Sequence, residues 1–352
     1  MKKVGKAAMF FLVLLLIVPS ALAAPDLSEN HTFYEEINYM MERDVITGYP
    51  DGTVRPDAVV TRAEAAIMIG RLKDLDGTQR ATKFPDVTAN QRASGYIASA
   101  EEAGYVSGFT DGTFRPYAAI TRGDMAILVD RLFSLGLTAR VDFTDVSQNM
   151  RAYEPISRIL AGNITIGYPD NTYRPSASVT RGQFAAFLGR GLEPAFKNKA
   201  AIPGSFMKDK TKSYIYQTPE GIERHSYAYV PDQSDREYGF MWSVVSDIGS
   251  GEALYGEIET HRTFGLQFIP QDIYVLDLQY PVRLGDSFTD ENNQVFTVTA
   301  VGQTVTTDYA TFEDVVEITV SNGYKHYYAE GYSRIRVDNP TGETVNQLIG
   351  VE

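Results

Sequence analysis

The strongest constraint on this chain is that its first half repeats one pattern three times. Residues 47–56 read TGYPDGTVRP, residues 107–116 read SGFTDGTFRP and residues 166–175 read IGYPDNTYRP, at a period of 60 and then 59 residues. A second block follows each at fixed distance: Thr61-Arg62-Ala63-Glu64, Thr121-Arg122-Gly123-Asp124 and Thr180-Arg181-Gly182-Gln183. An aspartate precedes each at the same phase: Asp26, Asp86 in Phe84-Pro85-Asp86-Val87, and Asp145 in Phe143-Thr144-Asp145-Val146. Ten positions of the 28-residue core that starts at Val45 are identical in all three copies, which leaves little room for chance. A period of this length marks a supersecondary unit that buries its apolar face only against its neighbours.

Each copy reads as helix, turn, helix. The first helix is clearest at Ile97, Ala100 and Ala103-Gly104. Tyr49-Pro50-Asp51-Gly52 then supplies proline, aspartate and glycine where a turn needs them. Arg55-Pro56 keeps the helix from running back through the loop. Thr61, Thr121 and Thr180 are natural N-caps, and Glu64, Asp124 and Gln183 stand three residues on, as a capping box requires. Behind them lie apolar faces: Ala66, Ile67 and Ile69; Ala126, Ile127 and Val129; Ala185, Phe187 and Leu188.

One feature runs against helix physics. Arg62, Arg122 and Arg181 occupy the first turn, where the dipole disfavours a cation by roughly 0.3–1 kcal/mol. Two compensations stand open: an ion pair with an acid of a neighbouring copy, or capture of an anion by helix N-terminus and guanidinium together. A second set, Arg55, Arg115 and Arg174, sits before proline at the turn exit and reads as structural, holding loop carbonyls or turn aspartates.

The order Phe-x-Asp-Val, helix, Gly-Tyr-x-Asp-Gly-Thr-Phe-Arg-Pro, Thr-Arg-Ala-Glu resembles the S-layer homology (SLH) domain, three times over residues 24–195. The resemblance implies an α-helical, pseudo-threefold bundle with grooves between repeats. It also implies binding to secondary cell-wall polysaccharide, often pyruvylated, on a Gram-positive-type wall. Carried over, it implies that Arg62, Arg122 and Arg181 meet the pyruvyl carboxylate. Gly48, Gly108 and Gly167 would let backbone approach sugar, and Asp26, Asp86 and Asp145 would contact the ligand or order the groove. The sequence departs from the pattern in places. Thr32, Arg92 and Arg151 stand where the family often has Trp, so sugar stacking is in question, although either Arg offers another anion contact. Copy one opens with Ala24-Pro25-Asp26-Leu27 and lacks the Phe; copy three has Asp170-Asn171 for Asp-Gly and Gln183 for the acid. Not all three grooves need bind.

The divisions expected are a signal peptide at 1–23, repeats at 24–83, 84–142 and 143–195, a linker at 196–205 with prolines and glycines nearby, and a β domain at 206–352. The leader has Lys2, Lys3 and Lys6, the apolar run 7–18, Pro19, and the small-x-small signal Ala21-Leu22-Ala23. This is the tripartite secretory pattern, too short to span a bilayer comfortably; the rival is an uncleaved anchor. The expected location is therefore secreted, at the cell wall or cell surface, without membrane contact after cleavage. With 45 acidic against 32 basic side chains and a net charge of −13, no nucleic-acid partner is expected.

Beyond the linker the pattern changes to period two. Residues 213–217, 226–230, 254–260, 273–278, 295–301, 314–320, 324–329 and 333–337 read as strands of an antiparallel domain, a strongly bent sheet or a sandwich. The stretches 280–288, 304–316 and 327–332 resemble a β domain of unknown function from secreted bacterial proteins. That resemblance implies a curved antiparallel sheet like lipoprotein-carrier half-barrels.

Chemistry is sparse. There is no cysteine, so disulfides, thiolate zinc sites and cysteine nucleophiles are excluded. His225 and His261 lie 36 residues apart, and His326 sits in a strand; no metal site or cofactor is expected. Glu257 and Glu259 share one strand face and read as solvated acids rather than a glycosidase pair. No catalytic residues are assigned. The expectation is a non-enzymatic wall anchor displaying a β domain whose partner is unknown. The rivals are a wall-tethered enzyme with its site in 206–352 and a self-assembling surface-lattice protein.

Overall fold

The structure, a computed structural model, describes residues 24–230, 239–249, 252–269, 273–290 and 293–352. The leader expected at 1–23 lies outside the described residues. Among the described residues seven helices come first: α1 Tyr34–Met41, α2 Arg62–Leu72, α3 Ser94–Glu102, α4 Arg122–Phe133, α5 Tyr153–Ala161, α6 Arg181–Leu192 and α7 Pro194–Asn198. Each of the three repeats contributes two of the first six. The capping boxes expected at Thr61, Thr121 and Thr180 are all formed, with hydroxyl accepting from the third residue's amide and that residue's side chain accepting from the cap. Gly52, Gly112 and Asn171 leave their turns at φ 82°, 83° and 61°, a region open to Gly and tolerated by Asn.

The repeats are tied in a ring. Val60 N–H donates to the Val179 carbonyl, Val179 N–H to Ile120, and Ile120 N–H back to Val60, at 2.9, 3.0 and 2.9 Å. Helices follow the same order: α2 packs on α3, α4 on α5, and α6 returns to α1. The first-turn amides obey it as well. Arg62 and Ala63 donate to the carbonyls of Ala118 and Pro116, Arg122 and Gly123 to Ala177 and Pro175, and Arg181 and Gly182 to Ala58 and Pro56. Every second helix of a repeat thus takes its N-terminal acceptors from the next copy, and the third takes them from the first. The helix amides that anion capture would use therefore already have partners.

The described residues of the second half form one twelve-stranded antiparallel sheet. Its strands are β1 Ser213–Thr218, β2 Gly221–Val230, β3 Gly239–Ser246, β4 Glu252–Glu259, β5 Thr263–Ile269, β6 Ile273–Gln279, β7 Ser287–Thr289, β8 Val295–Thr306, β9 Thr311–Val320, β10 Lys325–Ala329, β11 Ser333–Asp338 and β12 Thr344–Val351. They run in the order β6-β5-β4-β3-β2-β1-β12-β11-β10-β9-β8-β7, and the two end strands approach each other, so the sheet is a nearly closed barrel rather than a sandwich. All eight expected strands are present; β3, β5, β7 and β12 are additional.

The stretch 196–205 is not a free linker. Helix α7 occupies its start, and Phe196, Lys197 and Ala200 are buried, with Phe196 edge-on to Tyr39 at 5.0 Å. Proline starts a helix as readily as it ends one, because its missing N–H costs nothing at the first helical position. The two halves share a core: Met241, Ile258 and Ile269 of the sheet pack with Leu135, Leu137 and Ala139. Asn163 donates to the Glu257 carbonyl at 2.9 Å and Gln267 to that of Thr138 at 3.1 Å. One face of β4 and β5 therefore meets the helices, and the other faces the barrel interior.

Candidate functional site

The recurrent aspartates order the turns. Asp26 accepts from the amides of Val54 and Arg55 at 2.8 and 2.7 Å, and Asp86 and Asp145 do the same for Phe114 and Arg115 and for Tyr173 and Arg174. Both carboxylate oxygens are engaged in each case. Burial pushes the Asp26 and Asp86 carboxyls up, but the amides outweigh it and hold them below the usual range.

The turn-exit arginines behave as structural side chains. Arg55, Arg115 and Arg174 adopt φ of 53–60° and donate to Asp51, Asp111 and Asp170 at 2.8, 2.9 and 2.9 Å. Their guanidiniums lie 3.9–4.0 Å from the ring centres of Tyr49, Phe109 and Tyr168.

The glycines answer to the phenylalanine that opens their own repeat. A Cβ on Gly108 would stand 2.4 Å from Phe84, and one on Gly167 would stand 2.3 Å from Phe143. Copy one has Ala24 in place of that Phe, and a Cβ on Gly48 would meet only the Thr53 carbonyl, at 3.3 Å.

The first-turn arginines also follow the ring. Arg62 donates to the carbonyls of Phe114 and Ser107 at 2.8 and 2.7 Å, Arg122 to Tyr173 at 2.8 Å, and Arg181 to Val54 and Thr47 at 2.7 and 2.9 Å. Their partners are backbone carbonyls of the next repeat, not the acid that an ion pair would need. The three differ in access. Arg122 and Arg181 are 7 % and 5 % exposed, and Arg122 is enclosed by the rings of Tyr168, Tyr173 and Phe187; Arg62 is half-buried.

Arg62 lines an open cleft between the first two repeats together with Arg131, Arg151, Ser107, Gly108 and Phe109. Arg131 donates to the Tyr105 carbonyl at 3.5 Å and Arg151 to the Ser107 hydroxyl at 3.1 Å. Among the described residues none of the three has a carboxylate within ion-pair distance, although Asp124 lines the same cleft. Burial, followed by the like charges of Arg151 and Arg115, lowers the affinity of Arg62 for its proton, with Asp124 opposing. Arg131 is lowered by burial and then by Arg151. The cleft continues into a second hollow of about 400 Å³ that shares Ile127, Arg131 and Arg151.

Arg131 was not singled out from the sequence, yet Arg71, Arg131 and Arg190 are among the ten identical positions. The ring places each beside the first-turn arginine of the preceding copy: Arg71 and Arg181 both reach Thr47, and Arg190 lies near Arg122. Arg190 is half-buried, but its partner Arg122 is buried; among the described residues the Arg62 cleft brings a half-buried pair together with a third, exposed arginine.

In the β half, Glu257 and Glu259 are fully buried, which corrects the expectation of a solvated pair. The sheet curls until their face lies inside. Glu257 pairs with Lys208 at 2.6 Å, and Glu259 accepts from Ser205 and Tyr280 at 2.8 and 2.7 Å. Among the described residues no group of His, Asp and Glu could hold a metal ion, and no helix is long and apolar enough to cross a membrane.

The family profile for the S-layer homology domain matches residues 25–66, 83–126 and 142–185. The chain is 35 % identical over 193 residues to a cellulosome-anchoring protein of Acetivibrio thermocellus, covering 52 % of this chain and 42 % of that protein. It is 27 % identical over 222 residues to the S-layer protein Sap of Bacillus anthracis, covering 62 % and 27 %. A third relative, described as an uncharacterized cell wall amidase of Bacillus anthracis, is 27 % identical over 267 residues, covering 71 % and 48 %. The matched stretch spans less than half the length of each of these relatives. These three relatives are thus an anchoring protein, a surface-layer protein and one named as an enzyme. The chain carries three S-layer homology domains in tandem over residues 25–185, ahead of its β domain.

Proposed function

We propose that the helical half anchors the protein non-covalently to the bacterial cell wall by binding an anionic, pyruvylated secondary cell-wall polysaccharide. The observation that carries this reading is the cleft of Arg62, Arg131 and Arg151, three guanidiniums without a carboxylate partner among the described residues. A guanidinium fork suits a carboxylate, and a cleft flanked by backbone strengthens the contact. The ring of hydrogen bonds through Val60, Ile120 and Val179 supports a pseudo-threefold bundle. The unequal burial of Arg62, Arg122 and Arg181 supports one principal groove rather than three equal ones. The anchoring and surface-layer relatives support a location at the cell surface. In this reading the chain is not an enzyme: it displays the β half, and Glu257 and Glu259 are occupied by their own partners.

The test is co-sedimentation of the full chain with purified sacculi that carry or lack their polysaccharide. The protein is expected in the pellet only with the polysaccharide. Arg131→Ala with Arg151→Ala is expected to weaken binding about tenfold or more at unchanged helicity. Equal binding to stripped sacculi, or to sacculi freed of pyruvyl groups, would sink this reading. The match to the relative named an amidase keeps a second reading in view, a wall-acting β half; release of soluble wall fragments in the same assay would establish it.

A further inference from the structure

The interior of the β half holds a cavity of about 530 Å³, within the range of small-molecule sites. Its walls are aromatic and aliphatic, with Tyr216, Tyr255, Phe268, Phe296 and Tyr328 among them. Buried polar groups normally find partners. Here four that line the cavity have none among the described residues: the Tyr216 hydroxyl, His326 Nδ1, the Ser333 hydroxyl and the Asn346 carbonyl oxygen. Tyr216 is 3 % exposed and Ser333 1 %, so solvent at the surface does not satisfy them.

The charges of the wall can be sorted. Lys208 is matched by Glu257 at 2.6 Å. Glu223 is bonded to His225 at 3.3 Å, Glu220 is exposed on the β1–β2 turn, and Asp290 accepts from the Gln294 amide at 2.8 Å. His225 donates to or accepts from the Tyr255 hydroxyl at 3.0 Å. Arg334 remains, a half-buried guanidinium in the wall with no hydrogen bond or ion pair among the described residues. Its charge is felt by Tyr216, Glu223, His225, Tyr255, His326 and Tyr328, which puts it at the centre of the polar groups.

We propose that this cavity binds a small organic anion with an apolar body, its acidic group on Arg334 and its body against the aromatic wall. The Ser333 and Tyr216 hydroxyls can donate the remaining polar contacts. The guanidinium fork selects a planar acid such as a carboxylate. The enclosed wall rewards burial of an aromatic or acyl group. This site is separate from the arginine cleft and does not depend on how the wall is bound.

The test is calorimetric titration of the full chain with 2-naphthoate and with its uncharged counterpart 2-naphthylmethanol. Trp242, the only tryptophan, stacks on Tyr255 at 6.3 Å and offers a second readout. The acid is expected to bind at least about tenfold more tightly than the alcohol. Arg334→Gln is expected to remove that preference while the alcohol stays within about twofold, and Val244→Phe, which fills the cavity, is expected to abolish both. Equal binding of acid and alcohol to the unaltered chain overturns the proposal, as does absence of binding by both. Should Arg334→Gln not fold, the comparison on the unaltered chain decides alone.

Discussion

Nε of Arg181 donates to the carbonyl oxygen of Val54 at 2.7 Å, joining the last repeat to the first across 127 residues of sequence. Its second bond, to Thr47 at 2.9 Å, makes the same side chain a clasp on the Gly48 loop. Arg181→Ala leaves two carbonyls without this partner, and a lost hydrogen bond to a charged group costs about 1.5–3 kcal/mol. We expect urea denaturation to show Arg181→Ala losing about 2–4 kcal/mol, and the more exposed Arg62→Ala losing less. Equal losses would mean that burial does not distinguish the two. A triple alanine variant at Arg62, Arg122 and Arg181 would therefore mix folding with binding.

The glycines give a second test. Gly108→Ala drives a methyl into the Phe84 ring and the Thr113 backbone, at 2.4 and 2.7 Å before relaxation. Overpacking of this kind costs about 1–3 kcal/mol. Gly48→Ala meets a single contact at 3.3 Å and is expected to cost under about 1 kcal/mol. Thermal melting of both variants checks the difference, and a reversed order would remove the packing explanation.

The Lys208–Glu257 pair, with side chains 4 % and 0 % exposed, invites a double-mutant cycle. Removing one partner of a buried pair leaves an uncompensated charge and typically costs about 3–5 kcal/mol. We expect Lys208→Met and Glu257→Gln each to fall in that range, and the double change to lose markedly less than their sum. Strict additivity would show that the two charges act independently.

Acid sensitivity follows from two histidines. Burial lowers His225 to about 4 against the opposing pull of Glu223, with Lys208 and Arg334 adding to the fall; burial, then Arg334, lowers His326 to about 3. Both folded values lie below the unfolded 6.5, so the unfolded chain binds more protons and stability falls as pH drops from there. The His225 shift corresponds to a loss on the order of 3 kcal/mol by about pH 4. Glu259, raised by burial, acts in the opposite sense, its stabilisation being lost as pH rises from its unfolded 4.5. Denaturation midpoints followed from about pH 7 to about pH 4 should fall, and His326→Phe should flatten the slope. A flat profile for the unaltered chain would contradict both assignments.

Much of the helical half is legible in the residues. The turn aspartates, the capping threonines and the turn-exit arginines act within a few residues of themselves, and local chemistry is what a sequence exposes. Arg71, Arg131 and Arg190 were visible as identities but not as partners, because their neighbours lie in another copy and only ring closure brings them near. The same closure occupies the helix amides that made Arg62, Arg122 and Arg181 look like free anion sites. In the β half, β3 and β5 lack a clear period of two. Phe264 and Leu266 point into the barrel while Ile269 packs on the helices, so polar and apolar positions do not alternate. Glu257 and Glu259 looked solvated for the related reason that no single strand reveals which way its sheet curls.

A ring counts its members. In an open array each added repeat stacks on the last, and the number of copies is free to drift. Here each repeat both lends its loop carbonyls and borrows those of another, and the third debt is owed to the first copy. Losing one copy would strand a helix end on one side of the gap and a row of acceptors on the other, while a fourth would have to pry the circle open before it could enter. Copy number in this half is thus fixed by geometry rather than by length, and variation is channelled into the faces of the three units instead of their number.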